Sequence, residues 1–450
     1  MDRFDRIVLG IMAGLVALIT FVVALGDRVA VGVSGFFPEP GSAPPATAPI
    51  RVTFGTGVEA ASTEGAFSIQ PEVEGTFRWE GSTLVFTPSS PLLAGQTYTV
   101  TVGPGVVNKA GRRTSRPHNW SFTPRAPTVL YLGPPDASVR GLWAVPPEGG
   151  EPREVYAPEY GIFGFAPAPD GAQVAVTAYN ADLTTDVWLI DTDGGNPRRV
   201  TDCAPGSCGN AAWSPDGALL AYERREQALT GSTGPSRVWL YDPATGETAP
   251  LFEDSQVLGF GPHWSPDGSR IAFFDGNIQS IRIVHLETGE VTLIPSQMGE
   301  VGTFSPDGRR LVYTDIRAVG RQYYPELWLA ELGSGGGLAP LTKNAEEDQA
   351  PAWSPDGRWV AFARRRLDRR EGWGSQLYLL DLETGELRQL TADPAYNNTG
   401  FAWDLWSQRI LVQRFELGAT YAQPALWVYD LESDQLMLLV EGAFGGEWLP

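Results

Sequence analysis

Three regimes of hydrophobic patterning divide the chain. Ile7 to Gly26 runs for twenty residues without a charge, between Arg6 and the pair Asp27 and Arg28. As a helix it would rise about 30 Å, the thickness of a hydrocarbon core, which predicts an uncleaved N-terminal transmembrane helix over 1–28. A cleaved signal peptide is the rival reading, with Ala24-Leu25-Gly26 as its small-x-small site. Its apolar stretch would then exceed the usual ~7–15 residues. Residues 29–49 follow as an expected linker, because PEPGSAPPATAP at 38–49 is rich in proline and has no periodicity.

The second regime, 50–125, alternates apolar and polar residues at period two. Val52 and Phe54, Phe67 and Ile69, Phe77 and Trp79, Leu84 and Phe86 each fall on one face. Tyr98, Val100 and Val102 do the same, as do Trp120 and Phe122. Gly, Pro, Ser and Asn clusters separate the runs, so about seven short strands predict a β-sandwich. The segment RWEGSTLVFTPSSPLLAGQTYTVTVGPGVVNKAG with NWSFTP further on resembles the bacterial Ig-like domain of the SbsA type. That resemblance implies a spacer or adhesion module without a catalytic site, and makes these aromatics core.

The third regime, 127–450, is repetitive. One unit reads AWSPDGALLAY at 212–222, HWSPDGSRIAF at 263–273, TFSPDGRRLVY at 303–313 and AWSPDGRWVAF at 352–362. Weaker copies lie at 166–176 and 402–412. Pro-Asp-Gly is a tight turn: Pro presets its φ, Asp bonds its own backbone, and Gly accepts the left-handed conformation. Asp216, Asp267, Asp307 and Asp356 are therefore turn residues rather than a carboxylate ring. A second unit carries an aromatic at Trp143, Trp188, Trp239, Trp328, Tyr378 and Trp427, with Arg282 in its place in the fourth copy. The period is about 47 residues, the size of a four-stranded propeller blade. Seven second units against six full first units predict seven blades, with six as the alternative. The missing strand is supplied by Gly446-Glu447-Trp448-Leu449-Pro450, pairing with 129–132. The region resembles the TolB-type, WD-like β-propeller family.

The net charge of -20 excludes a nucleic-acid partner, which would need a basic stripe. Cys203 and Cys208, five apart in a Pro/Gly loop, suit a small disulfide outside the cytoplasm, with free thiols as the other reading. No four-ligand metal set or cofactor motif is present, and His118, His263 and His285 share no motif. Related propellers precede serine-peptidase domains, yet no Gly-x-Ser-x-Gly elbow occurs and the repeats run to the last residue.

The expectation is thus an all-β, non-enzymatic binding or scaffold protein. It would be held single-pass at the cell membrane with its bulk extracytoplasmic, meeting a protein or glycan partner. The alternative is a propeller-based hydrolase or polysaccharide lyase at the cell envelope. The face carrying the long insertions offers Arg365, Arg366, Arg369, Arg370, Trp373, Tyr323, Tyr324 and Tyr421 as a candidate binding patch. Arginine and exposed aromatics are the types that anchor recognition.

Overall fold

The structure, a computed structural model, describes residues 14–16 and 32–450 apart from 110, 135–138, 228–232, 334–335, 345, 368–373 and 419–422. The chain divides into two compact units, Met1–Ala126 and Pro127–Pro450. The apolar run Ile7–Gly26 lies outside the described residues save for 14–16, which are helical. No helix among the described residues is long and apolar enough to cross a membrane.

The first unit is a sandwich of a four-stranded and a three-stranded antiparallel sheet. Strands Val33–Phe37, Ile50–Phe54, Thr83–Pro88 and Gly75–Glu80 lie side by side in one sheet. Phe67–Gln70, Tyr98–Val102 and His118–Phe122 form the other. The alternating residues Ile50, Val52, Leu84, Val100 and Phe122 face inward, each no more than 1% exposed.

The linker expected over 29–49 is corrected here. Val33–Phe37 is an edge strand paired with Ile50–Phe54, and the Phe36 ring lies 4.5 Å from that of Trp120. The proline-rich stretch is bound to the sandwich as well. A proline has no N–H to donate, but its carbonyl still accepts. Pro44 O takes the Arg125 N–H at 2.9 Å, Ser42 O the Thr123 N–H at 3.1 Å and Ala46 O the Leu92 N–H at 2.8 Å.

The second unit has seven four-stranded antiparallel sheets. Six are continuous, at 162–199, 207–250, 260–295, 303–340, 347–389 and 396–441. Blade one combines Thr128–Gly133, Gly141–Val145 and Arg153–Tyr156 with Phe444–Leu449 from the far end of the chain. Trp448 pairs with Val129 and Leu449 with Thr128. Seven blades closed by the terminal strand is the expected arrangement, and six is excluded.

In the six continuous blades the innermost strand comes first, and four of the seven innermost strands carry a tryptophan that reaches back one blade. The Trp213 indole N–H donates to Ala166 O at 3.2 Å, Trp264 to Ala212 O at 2.9 Å, Trp403 to Ala352 O at 3.0 Å and Trp448 to Ala402 O at 3.0 Å. The innermost strands also bulge. Asn210, Gly261, Ala350, Gly400 and Gly445 take positive φ there, and the neighbouring blade uses the freed backbone. Glu223 Oε1 accepts the Gly261 N–H at 2.8 Å, and Gln413 Oε1 accepts the Gly445 N–H at 3.0 Å.

Removing residues 445–450 is expected to destabilise the propeller by about 3 kcal/mol or more, since Trp448 and Leu449 lose their burial. The bared edge of Thr128–Gly133 should also promote association. Thermal unfolding with light scattering checks both; an unchanged transition without association would refute the closure.

Candidate functional site

The two faces of the propeller differ in kind. On one, the Ser-Pro-Asp-Gly hairpins are self-contained. Ser214 Oγ donates to Asp216 at 2.6 Å, and the same contact in the next copies, Ser265 to Asp267 and Ser305 to Asp307, is 2.5 Å. The aspartate then accepts the N–H two residues on, Ala218 at 3.0 Å and Arg309 at 3.1 Å. The serine hydroxyl bonds hold Asp216 and Asp307 below the usual carboxylate range. In each turn one carboxylate oxygen, Oδ1, takes both bonds.

The other face carries the connections between second and third strands and those between blades. The disulfide Cys203–Cys208 closes the connection from blade two to blade three, with a Cα–Cα distance of 5.9 Å. The expected binding patch divides here. Arg365 is exposed and ion-paired with Glu347, which raises its pKa, and Arg366 is half-buried. Successive residues of a strand point to opposite sides, so Tyr323 is 72% exposed while Tyr324 is 8% exposed, its hydroxyl on Gln322. Arg369, Arg370, Trp373 and Tyr421 lie outside the described residues. Of the four patch residues described, Arg365 and Tyr323 are exposed.

A deeper set of arginines lies beneath this rim. Arg224, Arg364 and Arg414 each stand eleven residues after their blade's tryptophan, at Trp213, Trp353 and Trp403. That regular offset is a signal in the sequence, two residues beyond the end of each repeat unit at 222, 362 and 412. Each guanidinium stacks on the repeated aromatic of its own blade. Arg224 lies 4.6 Å from the Trp239 centroid, Arg364 5.1 Å from Tyr378 and Arg414 4.7 Å from Trp427. Blade four inverts the arrangement: Arg282 replaces the aromatic and meets the buried Asp275 at 2.8 Å.

Their charges are handled differently. Asp348, fully buried, takes Arg364 through two bonds of 2.6 and 2.8 Å. Arg224 has only Glu226 at 3.8 Å. Arg414, 4% exposed, has no carboxylate within ion-pair distance among the described residues, and burial pushes its pKa down.

A further acid sits at the axis. Glu447 is on the innermost strand of blade one and is exposed. An exposed side chain on an innermost strand, with blades to left and right, faces the axial opening. Lost hydration there pushes its carboxyl up to about 7. A carboxyl near neutrality is able to take and return a proton at ambient pH.

Radial four-stranded blades closed by the chain's own terminal strand define a β-propeller, and the two-sheet unit before it an Ig-like module. Residues 237–445 match the TolB beta propeller domain family and residues 27–124 the Bacterial Ig-like domain family. The chain carries a TolB-type propeller after a bacterial Ig-like domain. It is 25% identical over 210 residues to the uncharacterized peptidase YuxL of Bacillus subtilis, covering 44% of this chain and 29% of that protein. It is also 25% identical over 169 residues to dipeptidyl-peptidase 5 of Porphyromonas gingivalis, covering 36% of this chain and 23% of that protein. A puromycin-hydrolyzing peptidase of Mycobacterium tuberculosis superposes with a TM-score of 0.52 at 16% identity, over 79% of this chain and 53% of that one. The chain thus spans less than a third of the length of these two sequence relatives. The non-enzymatic expectation is corrected by these matches, since the relatives include peptidases.

Two measurements test this site. Asp348→Ala leaves Arg364 buried without its partner and is expected to cost about 3–5 kcal/mol in denaturant unfolding; a loss below about 1 kcal/mol would contradict the pairing. Glu447 has a folded pKa above its unfolded one, so the folded state holds the extra proton and stability falls as pH rises from about 4.5 to about 7. Glu447→Gln should remove that component of the slope when melting is followed from pH 4 to 8. A slope identical to that of the parent would place Glu447 in bulk-like solvent.

Proposed function

We propose that the propeller serves hydrolase-class chemistry on peptides at the cell envelope, as the element that receives the substrate. The observation that carries this reading is the alignment with peptidases, 25% identical over 210 residues in one case. The insertion-bearing face and the axial opening are the surfaces with chemistry to offer. Glu447 there holds a carboxyl near neutrality, and the stacked arginines lie beneath the rim. The opposite face spends its carboxylates on its own turns.

The setting is part of the proposal. Ile7–Gly26 would hold the chain in the membrane, and the disulfide Cys203–Cys208 suits an oxidising compartment. The main chain would then face outward, where peptides of envelope or nutrient origin are met.

The full-length protein in detergent or nanodiscs is expected to bind short peptides saturably. It is also expected to release amine from aminoacyl or dipeptidyl amides above a heat-denatured control, with Glu447→Gln lowering turnover at least about tenfold. Absence of both binding and cleavage across a panel of charged, apolar and proline-containing peptides would overturn the proposal.

A further inference from the structure

Blades six and seven place an arginine at equivalent positions but treat its charge in opposite ways. In blade six, Asp348 lies directly across from Arg364 in the strand register and neutralises it. In blade seven the residue across from Arg414 is Asn398. The counter-ion has been replaced by a neutral amide, while the guanidinium has stayed. Arg414 is 4% exposed, its Nε is buried without a hydrogen-bond partner, and no ion pair to it is found among the described residues. Leaving a buried charge without a partner ordinarily costs several kcal/mol.

Two neighbours are left in the same condition. Asn398, itself fully buried, has an Oδ1 without a hydrogen-bond partner, although its amide nitrogen donates to Ser375 O at 2.8 Å. The Trp427 indole N–H is buried and undonated. The register puts all three on one side of the sheet: Asn398 opposes Arg414, Arg414 opposes Ala425, and Trp427 lies two residues further along that strand. Tyr396 forms a second wall, its ring centroid 4.1 Å from the guanidinium. The one carboxylate that acts on Arg414 is Asp393, which caps the Ala395 N–H at 3.0 Å and makes no ion pair with Arg414.

We propose that this junction of blades six and seven binds a carboxylate, with Arg414 supplying the charge and Tyr396 and Trp427 the walls. A planar guanidinium meets a carboxylate through two parallel bonds, and the ligand would restore the partner that Asp348 provides in blade six. With so little of Arg414 exposed, a terminal carboxylate entering end-on fits better than a branched internal one. The ligand's identity rests on the peptide reading above: it is the free C terminus of a peptide.

The test uses the full-length protein with N-acetyl-dialanine as the free acid, its C-terminal amide, and inorganic phosphate. Binding is read by tryptophan fluorescence and by thermal shift. The free acid should bind saturably and the amide about tenfold or more weakly. Asn398→Asp should raise the melting temperature of the unliganded protein and abolish the preference for the acid. Arg414→Lys, which keeps the charge but loses the planar fork, should reduce that preference and serves if the aspartate variant does not fold. Acid and amide binding alike, or a preference that survives Asn398→Asp, would overturn the site while leaving peptide hydrolysis standing. Phosphate matching the free acid, with no peptide cleaved, would overturn the peptide reading while leaving the anion site.

Discussion

A tryptophan indole held to a backbone carbonyl one blade back sets the geometry of the ring. Trp213, Trp264, Trp403 and Trp448 make this contact at 2.9 to 3.2 Å, so four of the seven joints share the same bond. Each bond contributes only about 1 kcal/mol net, but the same contact recurs at four joints. The joint between blades five and six is made otherwise. Trp353 turns to Gly357 O in its own hairpin at 3.1 Å, and Arg310 of blade five packs 4.8 Å from the Trp353 centroid. At this joint a cation over an aromatic face stands in for the indole bond.

Much of this architecture was legible from spacing. Blade number, closure by Trp448, and the turn role of Asp216 and Asp307 all follow from local rules that a repeat prints many times. The proline-rich stretch misled because composition reports what a segment cannot donate and is silent on what it accepts. Pro44 and its neighbours are held through carbonyls, which every residue has. The buried arginines escaped for a related reason. A charged residue near a strand end reads as solvated, and only the register shows that Arg364 faces Asp348 while Arg414 faces Asn398. The exposed patch was half legible: alternation separates Tyr323 from Tyr324, but the sequence does not say which of the two points outward.

The distribution of charge also separates structure from function. Most buried acids of the insertion-bearing face are committed: Asp186 to Arg199 at 2.6 Å, Asp275 to Arg282 at 2.8 Å, and Glu326 to Arg317. Such pairs add little net stability over apolar substitutes, but they fix which strands lie side by side. Against that background, an unmatched group stands out more than any single motif. Glu447 at the axis and Arg414 between two blades are two such groups among the described residues.

The closure of blade one has a consequence in time as well as in space. Thr128–Gly133 is made early and its innermost partner, Phe444–Leu449, more than 300 residues later. Until that strand arrives, blade one is a three-stranded sheet with an open flank, and the Ala402 carbonyl of blade seven lacks the indole N–H of Trp448. The separation makes this the slowest contact of the ring to form by chain diffusion. During synthesis the chain presents an incomplete, adhesive edge until its last strand is made, a stage at which association competes with closure of the ring.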